Sequence, residues 1–162
     1  MIELHLLRHA DAGDPVAWKG SDADRPLSAK GEKQAERLGR FLKDVGFRPD
    51  AIISSPKIRA AQTAEIVARH LGLPVTTDDR LAGAVDLAGV EAILRHAGDP
   101  TPTRPVLVGH DPDFSDLLEG LTGLSGLTMK KGAFVRIDAE RIEPAAGTLR
   151  WLVPPDLLKP DR

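Results

Sequence analysis

Residues 51–64 read AIISSPKIRAAQTA, and the pattern changes within this stretch from that of a strand to that of a helix. Residues 51–53 form a short apolar run, typical of a buried strand. Ser55 and Pro56 then carry the signals of a helix start, with serine as the N-cap and proline at the first helical position. Apolar side chains recur at helical spacing over residues 61–71 until Gly72, so we predict a strand followed directly by a helix.

The same alternation of strand and helix continues outward from this unit. Apolar runs predict strands at residues 2–7, 51–53, 74–76, 105–108, 133–137 and 148–153, the last two forming an antiparallel hairpin or joined by a looser return. Helical spacing predicts helices over 28–45, 55–71 and 87–97, and a fourth after residues 111–112. This order favours an α/β fold, a three-layer α/β/α sandwich with a mostly parallel mixed sheet. We expect a single domain over residues 1–153 and a loose tail at 154–162.

The composition argues against several classes of protein. The chain has 162 residues and no cysteine, which excludes disulfides, thiolate metal sites and iron–sulfur clusters. A formal charge of −2 and 4% aromatic residues argue against a broad nucleic-acid surface. No apolar run approaches the roughly 18 residues of a membrane span, and no secretory leader is visible at the N-terminus. We therefore expect a cytoplasmic protein without nucleic-acid or membrane partners.

Three polar segments follow predicted strands, at the edge of the sheet where α/β proteins bind their ligands. Arg8 and His9 follow the first strand, residues 54–59 the second, and Gly109 and His110 the fourth. Taken singly, a histidine at a strand end is more often structural, and an arginine on a helix is usually solvated. Two arginines and two histidines at one edge, beside the start of a helix, instead predict a pocket for a small dianion such as a phosphoryl group.

Four motifs resemble those of the histidine phosphatase superfamily, also called phosphoglycerate-mutase-like, and they occur in the family's order. They are LRHA at residues 7–10, RPLSAKG at 25–31, SSPKIRAAQTA at 54–64 and VGH at 108–110. The short chain and its Arg-His-x-Asp-Ala opening look most like the SixA-type protein-phosphohistidine phosphatases. Ala10 stands where the family usually has glycine, and a side chain this small should be tolerated.

The resemblance implies a role for four side chains. His9 would be the nucleophile that accepts the phosphoryl group, His110 would lie against the phosphoryl oxygens, and Arg8 and Arg59 would clamp them. Because guanidinium groups supply the positive charge, no metal or other cofactor is expected. The implied activity is hydrolysis of phosphohistidine on a protein through a covalent intermediate at His9, with a small phosphate ester as the alternative substrate.

The chain also departs from the family pattern at the position of the proton donor. Many members carry a glutamate after the third strand, whereas residues 80–84 contain no carboxylate. Asp11 is the candidate general acid, although an Asx turn explains it equally well, and for Asp86 a helix N-cap is the favoured interpretation. The bond between phosphorus and imidazole breaks more easily than an alkyl phosphate ester, so the missing acid favours phosphohistidine.

The sequence leaves other functions open. The pocket could serve a general small-molecule phosphomonoesterase or a phosphate-binding module without turnover. A metal hydrolase would draw its ligands from six side chains: His5, His9, Asp11, His110, Asp111 and Asp113. However, His5 and His9 on one extended strand would lie about 13 Å apart, too far for one ion. The roles of Trp18 and of loop 10–27 are undecided, and Arg25 either reaches the pocket or lies on the surface.

Overall fold

The computed structural model describes residues 1–160, which form six strands, four α-helices and three short 3-10 turns. The strands are β1 (Ile2–Arg8), β2 (Ala51–Ser54), β3 (Thr76–Thr77), β4 (Pro105–Gly109), β5 (Phe134–Ala139) and β6 (Gly147–Val153). The helices are α1 (Ala29–Asp44), α2 (Ile58–Leu71), α3 (Leu87–Ala97) and α4 (Asp113–Thr122). The 3-10 turns lie at Asp22–Asp24, Asp79–Ala82 and Pro155–Leu158. Every predicted strand and helix is present, and only the ends differ.

All six strands join in one mixed sheet in the order β3-β2-β4-β1-β5-β6. Strands β1 to β4 are parallel, whereas β5 pairs antiparallel with both β1 and β6. The hairpin is therefore the correct one of the two connections left open for the last strands. The predicted α/β fold with a mostly parallel mixed sheet is confirmed.

Helices cover both faces of the sheet, because successive side chains of a strand point to opposite sides. On one face, Val106 and Val108 of β4 share a core with buried residues of α1 and α2. On the other face, Leu107 shares a second core with buried residues of α3 and α4. Because β1, β2 and β4 are parallel neighbours between the two layers of helices, their carboxyl ends lie at the same edge of the sheet. No helix within residues 1–160 is long and apolar enough to cross a membrane.

Helix α2 begins two residues later than predicted, and Ser55 is not its N-cap. The amide of Ser55 donates to the carbonyl oxygen of Val108 (2.9 Å), which prolongs the pairing of β2 with β4 and delays the turn into the helix. Lys57 occupies the N-cap position without a side-chain hydrogen bond. The hydroxyl of Ser55 accepts the amide of Lys57 (3.2 Å) and therefore stays near the end of β4.

Part of the segment 154–160, for which the composition suggests a loose tail, packs against the domain, while Asp156, Leu157, Lys159 and Pro160 are exposed. The turn at Pro155–Leu158 buries Pro155 and places Leu158 against the core on the side of α1 and α2. Burial of this apolar surface is the physical reason for the order. Asp161 and Arg162 lie outside the described residues, and the domain boundary at residue 153 stays a prediction.

Gly31, in the first turn of α1, should tolerate no side chain. A Cβ atom there would lie 1.9 Å from the carbonyl oxygen of Asp11, which is backbone and cannot rotate away. We expect Gly31→Ala to lower the free energy of unfolding by about 1–3 kcal/mol, measured by urea denaturation. Gly120→Ala in α4 is the matched control: the nearest atom is 3.9 Å away, so better helix propensity should leave stability unchanged or raise it by up to ~1 kcal/mol. Equal losses in both variants would contradict this prediction.

Candidate active site

The carboxyl ends of β1, β2 and β4 bring the three predicted polar segments to one edge of the sheet. The parallel register pairs Arg8 with Gly109. One residue further on, the amide of His9 donates to the carbonyl oxygen of Gly109 (2.9 Å). This bond places His9 beside His110, and the centroids of the two imidazole rings lie 5.3 Å apart.

Burial keeps His9 neutral, and one hydrogen bond fixes which of its ring nitrogens carries the proton. Its Nδ1 lies 2.7 Å from the carbonyl oxygen of Ala10. A carbonyl only accepts, so Nδ1 carries the proton and Nε2 keeps a lone pair. Burial lowers the pKa of His9 from 6.5 to about 4; the hydrogen bond to Ala10 opposes this shift, and the charges of Arg59 and Arg8 add to it. His9 is therefore neutral near pH 7, with Nε2 able to act as a nucleophile.

His110 is tilted by 53° against His9 and is bonded through Nε2 to Oγ of Ser55 (2.8 Å). Burial lowers the pKa of His110 to about 3, and the charges of Arg59 and Lys57 act in the same direction. The hydroxyl of Ser55 accepts the amide of Lys57, and its own proton is available for donation to Nε2 of His110. This arrangement favours the proton of His110 on Nδ1, which is buried without a partner among the described residues.

Arg8 is held at one end of its guanidinium group. Its Nη1 donates to the carbonyl oxygen of Met129 (2.8 Å), and a carboxylate oxygen of Asp111 lies 3.8 Å from the same nitrogen. Met129 is fixed in turn, because its amide donates to Oγ of Ser115 (2.9 Å), and Ser115 donates to Asp111 (2.6 Å). These contacts occupy Nη1 and leave Nε of Arg8 buried without a partner within residues 1–160.

Arg59 is held in a similar way by Asp22, a residue that the sequence analysis did not single out. Nη1 of Arg59 donates to the main-chain carbonyl oxygen of Asp22 (2.8 Å), and Nη2 donates to its carboxylate (3.0 Å). Nε of Arg59 is again buried and lacks a partner in the described part of the chain. The abundance of aspartate in loop 10–27 was the only signal in the sequence, and it does not indicate which carboxylate turns toward α2.

Three of these nitrogens form a set of unsatisfied donors: Nε of Arg8, Nε of Arg59 and Nδ1 of His110. Among residues 1–160 only one other buried side-chain nitrogen, Nε of Arg25, also lacks a hydrogen-bond partner. A buried donor without a partner costs about 1–3 kcal/mol, so three on side chains from one edge of the sheet indicate a site for an acceptor with several oxygens. A phosphoryl group has three such oxygens and carries the charge that guanidinium groups favour.

The two aspartates considered as proton donors make structural contacts. The carboxylate of Asp11 accepts the hydroxyl of Ser28 (2.6 Å) and the amide of Gly13 (3.2 Å), and the second bond forms the Asx turn that the sequence left as the alternative. The Ser28 bond holds the pKa of Asp11 below its usual range and so favours the charged form. Asp86 caps α3 by accepting the amide of Gly89 (2.8 Å). A general-acid role for Asp11 stays a prediction, and these surroundings do not favour it.

The six side chains of the alternative metal site do not form a cluster. In the described residues, no three histidine, aspartate or glutamate side chains lie close enough together to hold a metal ion. His5 instead packs among the rings of Phe47, Phe134 and Trp151, with centroid distances of 4.7, 5.5 and 5.9 Å.

Arg25 connects the two ends of loop 10–27 to each other. This side chain is buried and donates to the carbonyl oxygen of Ala12 (2.7 Å), and its Nη2 lies 3.5 Å from the carboxylate of Asp22. A surface position for Arg25 is therefore wrong. Trp18 is partly exposed, and its Nε1 donates to the carbonyl oxygen of Ser21 (2.8 Å) within the same loop.

The family model of the histidine phosphatase superfamily (branch 1) matches residues 4–84. The chain belongs to this superfamily. An uncharacterised protein of Picosynechococcus sp. is 32% identical over 94% of this chain and 100% of that protein. The uncharacterised phosphatase PhoE of Bacillus subtilis is 39% identical, but the match covers 49% of this chain and 40% of PhoE. The structure of the protein histidine phosphatase SixA complexed with tungstate has a TM-score of 0.84 at 25% identity and covers 98% of this chain and 100% of its own.

These comparisons confirm the resemblance inferred from the four motifs. The family model covers the first three motifs, and the structural similarity to SixA extends over almost the whole chain. The protein is a SixA-like member of the histidine phosphatase superfamily, and the comparisons support a phosphatase at that level.

Ser55 is expected to support His110 during phosphatase turnover. Ser55→Ala removes the hydroxyl that lies 2.8 Å from Nε2 of His110. The value of kcat/KM should fall about 2- to 10-fold, which corresponds to the loss of one hydrogen bond worth about 0.5–1.5 kcal/mol. Ser54→Ala is the matched control, because this neighbouring buried hydroxyl bonds to the carbonyl oxygen of Ser55 and not to His110. An unchanged kcat/KM in Ser55→Ala would contradict the assigned contact.

Stability should fall on acidification because buried histidines resist protonation. Burial lowers the pKa of His5 to about 4, below the 6.5 expected in the unfolded chain. The unfolded state therefore binds more protons between these values, and the free energy of unfolding should decrease as the pH falls from about 6.5 to about 4. His5→Phe, which keeps an aromatic ring at this position, should reduce the pH slope in urea denaturation. His96→Gln, at an exposed position, should leave the slope unchanged; a full slope in His5→Phe would argue against the burial of His5 as its cause.

Proposed function

We propose that the protein hydrolyses phosphohistidine carried on another protein, through a covalent phosphohistidine intermediate at His9. The combination of two features carries this proposal: a neutral His9 with its lone pair on Nε2, and three buried donors without partners on Arg8, Arg59 and His110. The similarity to SixA, which was solved with the oxyanion tungstate, supports the same site. We place the reaction in the cytoplasm, with a phosphorylated protein as the partner and no role for nucleic acid or membrane.

In the first step, Nε2 of His9 attacks phosphorus while the bond between phosphorus and the substrate imidazole breaks. The electron pair of that bond stays on the leaving nitrogen. If the far nitrogen of the substrate ring is protonated, imidazole leaves as a neutral molecule and no general acid is required. Nδ1 of His9 keeps its proton and its bond to Ala10, which stabilises the positive charge on the newly phosphorylated ring.

In the second step, water attacks the phosphoryl group on His9 and the P–Nε2 bond breaks. The electron pair returns to Nε2, and phosphate leaves as the dihydrogen anion, which equilibrates with solvent. Arg8, Arg59 and His110 donate to the phosphoryl oxygens in both steps. Fixed donors of this kind contribute several kcal/mol to a transition state, about 2.7–4 for one donor in a comparable oxyanion hole.

Two features favour phosphohistidine over an alkyl phosphate ester. An alkoxide leaving group needs a proton, and the candidate acids Asp11 and Asp86 are both bonded in structural roles. The connection between α2 and α3 is also short, residues 72–86, with only β3 and one 3-10 turn in it. No inserted domain covers the site from this connection, which suits a substrate presented on a protein surface. A small phosphate ester is the second candidate, because the same donors would accept its phosphoryl group.

The intermediate is tested by acid-free denaturing quench and alkaline electrophoresis after mixing the enzyme with a ³²P-phosphohistidine protein. Wild type should trap a label that is stable in alkali and labile in acid. His9→Ala should trap none, and its kcat should fall by at least about 10³-fold, as for loss of a nucleophile. His96→Gln is the control for loss of an exposed histidine. Label on another residue, or turnover by His9→Ala, would overturn the mechanism.

The substrate class is tested by comparing kcat/KM for phosphohistidine protein with that for p-nitrophenyl phosphate, with and without a metal chelator. We expect a clear preference for phosphohistidine and no loss of activity in the chelator, because two arginines supply the positive charge. A preference for the ester would assign a general phosphomonoesterase instead. Binding of the phosphoprotein without turnover would assign a phosphate-binding module.

A further inference from the structure

Asp22 is the centre of a group of positive side chains beside the proposed phosphoryl site. Its carboxylate lies 3.0 Å from Nη2 of Arg59, 3.5 Å from Nη2 of Arg25 and 4.0 Å from Nζ of Lys57. Its main-chain carbonyl oxygen accepts Nη1 of Arg59 as well. One residue of loop 10–27 thus contacts both terminal nitrogens of an arginine that the mechanism requires.

These contacts fix which edge of Arg59 is available to a substrate. The N–H donors of a guanidinium group lie in one plane, and Asp22 takes one donor on each terminal nitrogen. Nε is buried and has no partner within residues 1–160. The edge formed by Nε and the second hydrogen of Nη2 is therefore left for phosphoryl oxygens. The two bonds to Asp22 restrain rotation of the guanidinium group at the end of its long side chain.

Asp22 also places a negative charge on the solvent side of the site. The side chain of Asp22 is 56% exposed, whereas the side chain of Arg59 that it holds is 7% exposed. The hydrogen bond and charge of Arg59 outweigh the effect of burial and keep the pKa of Asp22 below its usual range, so it is ionised near neutral pH. The negative charge of Asp22 also acts on His110, where it raises the pKa and so offsets part of the lowering caused by burial.

The carboxylate of Asp22 offsets part of the positive charge of Arg59, Arg25 and Lys57, and we expect its charge to affect leaving groups of opposite sign differently. In an in-line displacement the leaving group lies on the side of phosphorus away from His9. A protonated phosphoimidazole carries positive charge on its ring, and part of that charge remains in the transition state, before imidazole leaves as a neutral molecule. A nearby carboxylate stabilises this remaining charge and keeps the ring protonated. The leaving side of p-nitrophenyl phosphate instead gains negative charge as its bond breaks, and the same carboxylate disfavours it.

We propose that Asp22 is a positioning and specificity-determining residue, which holds Arg59 edge-on to the phosphoryl group and favours substrates with a cationic leaving group. This inference rests on the proposed phosphohistidine activity. It gives loop 10–27 a function that the sequence did not reveal.

Two substitutions at Asp22 separate the charge from the hydrogen bond. Asp22→Asn keeps a side-chain oxygen that can accept from Nη2 of Arg59 but removes the charge. Asp22→Ala removes the charge and the side-chain hydrogen bond, and keeps the main-chain carbonyl oxygen that accepts Nη1. The readout is the ratio of kcat/KM for phosphohistidine protein to kcat/KM for p-nitrophenyl phosphate. Asp24→Asn is the matched control, because Asp24 is exposed in the same turn and is not the carboxylate paired with Arg59, Arg25 or Lys57.

Asp22→Asn should lower the ratio about 2- to 25-fold, because the two substrates change in opposite directions by about 1.5- to 5-fold each, as expected for one half-exposed charge. Asp22→Ala should also lower kcat for both substrates and weaken inhibition by tungstate, because Nη2 of Arg59 loses its partner and only the main-chain bond to Nη1 remains. Asp24→Asn should change neither value. Raising the ionic strength should reduce the ratio of wild type toward that of Asp22→Asn, which tests the charge without any substitution.

An unchanged ratio in Asp22→Asn, or an equal change in Asp24→Asn, would overturn the specificity role. Equal kcat values and tungstate inhibition in Asp22→Asn and Asp22→Ala would overturn the positioning role. Thermal unfolding of each variant shows whether the fold is retained, and the salt series in wild type decides the role of the charge if a variant does not fold. Failure of wild type to hydrolyse phosphohistidine would instead overturn the proposed function, and tungstate inhibition would still report on Arg59.

Discussion

The site depends on main-chain hydrogen bonds that continue one residue beyond the ends of the parallel strands. The amide of His9 bonds to Gly109, and the amide of Ser55 bonds to Val108, each at 2.9 Å. These two bonds extend the ladder on both sides of β4 and set the distances between three loops. The side chains that leave those loops, His9, Ser55 and His110, therefore start from positions fixed by the sheet.

The second constraint is that the guanidinium groups of Arg8 and Arg59 are largely removed from water and need partners. The structure supplies similar partners to both. Arg8 and Arg59 each donate through Nη1 to a main-chain carbonyl oxygen and lie near a carboxylate, Asp111 or Asp22. These partners offset the penalty of removing a guanidinium group from water. Each arginine keeps a buried Nε without a partner among residues 1–160, so the supports restrain the group and leave donors for a bound anion.

Local patterns predicted most of the fold because the apolar periodicity of this chain agrees with its tertiary environment. The errors occur where a tertiary contact, a hydrogen bond or apolar packing, overrides a local signal. Ser55 and Pro56 have the composition of a helix start, yet pairing with Val108 draws Ser55 into the sheet and the helix begins at Ile58. The composition of residues 154–160 suggested a loose segment, yet Leu158 finds apolar surface beside the core.

The sequence by itself determined the order of strands and helices, the superfamily and the candidate residues His9, His110, Arg8 and Arg59, because these depend on local periodicity and short motifs. Only the tertiary structure decided which other groups touch them. Asp22 and Ser55 lie 37 and 55 positions from the side chains that they contact, Arg59 and His110. Separations of that size leave no periodic trace in the chain, because the fold sets such contacts through the sheet and the path of a loop.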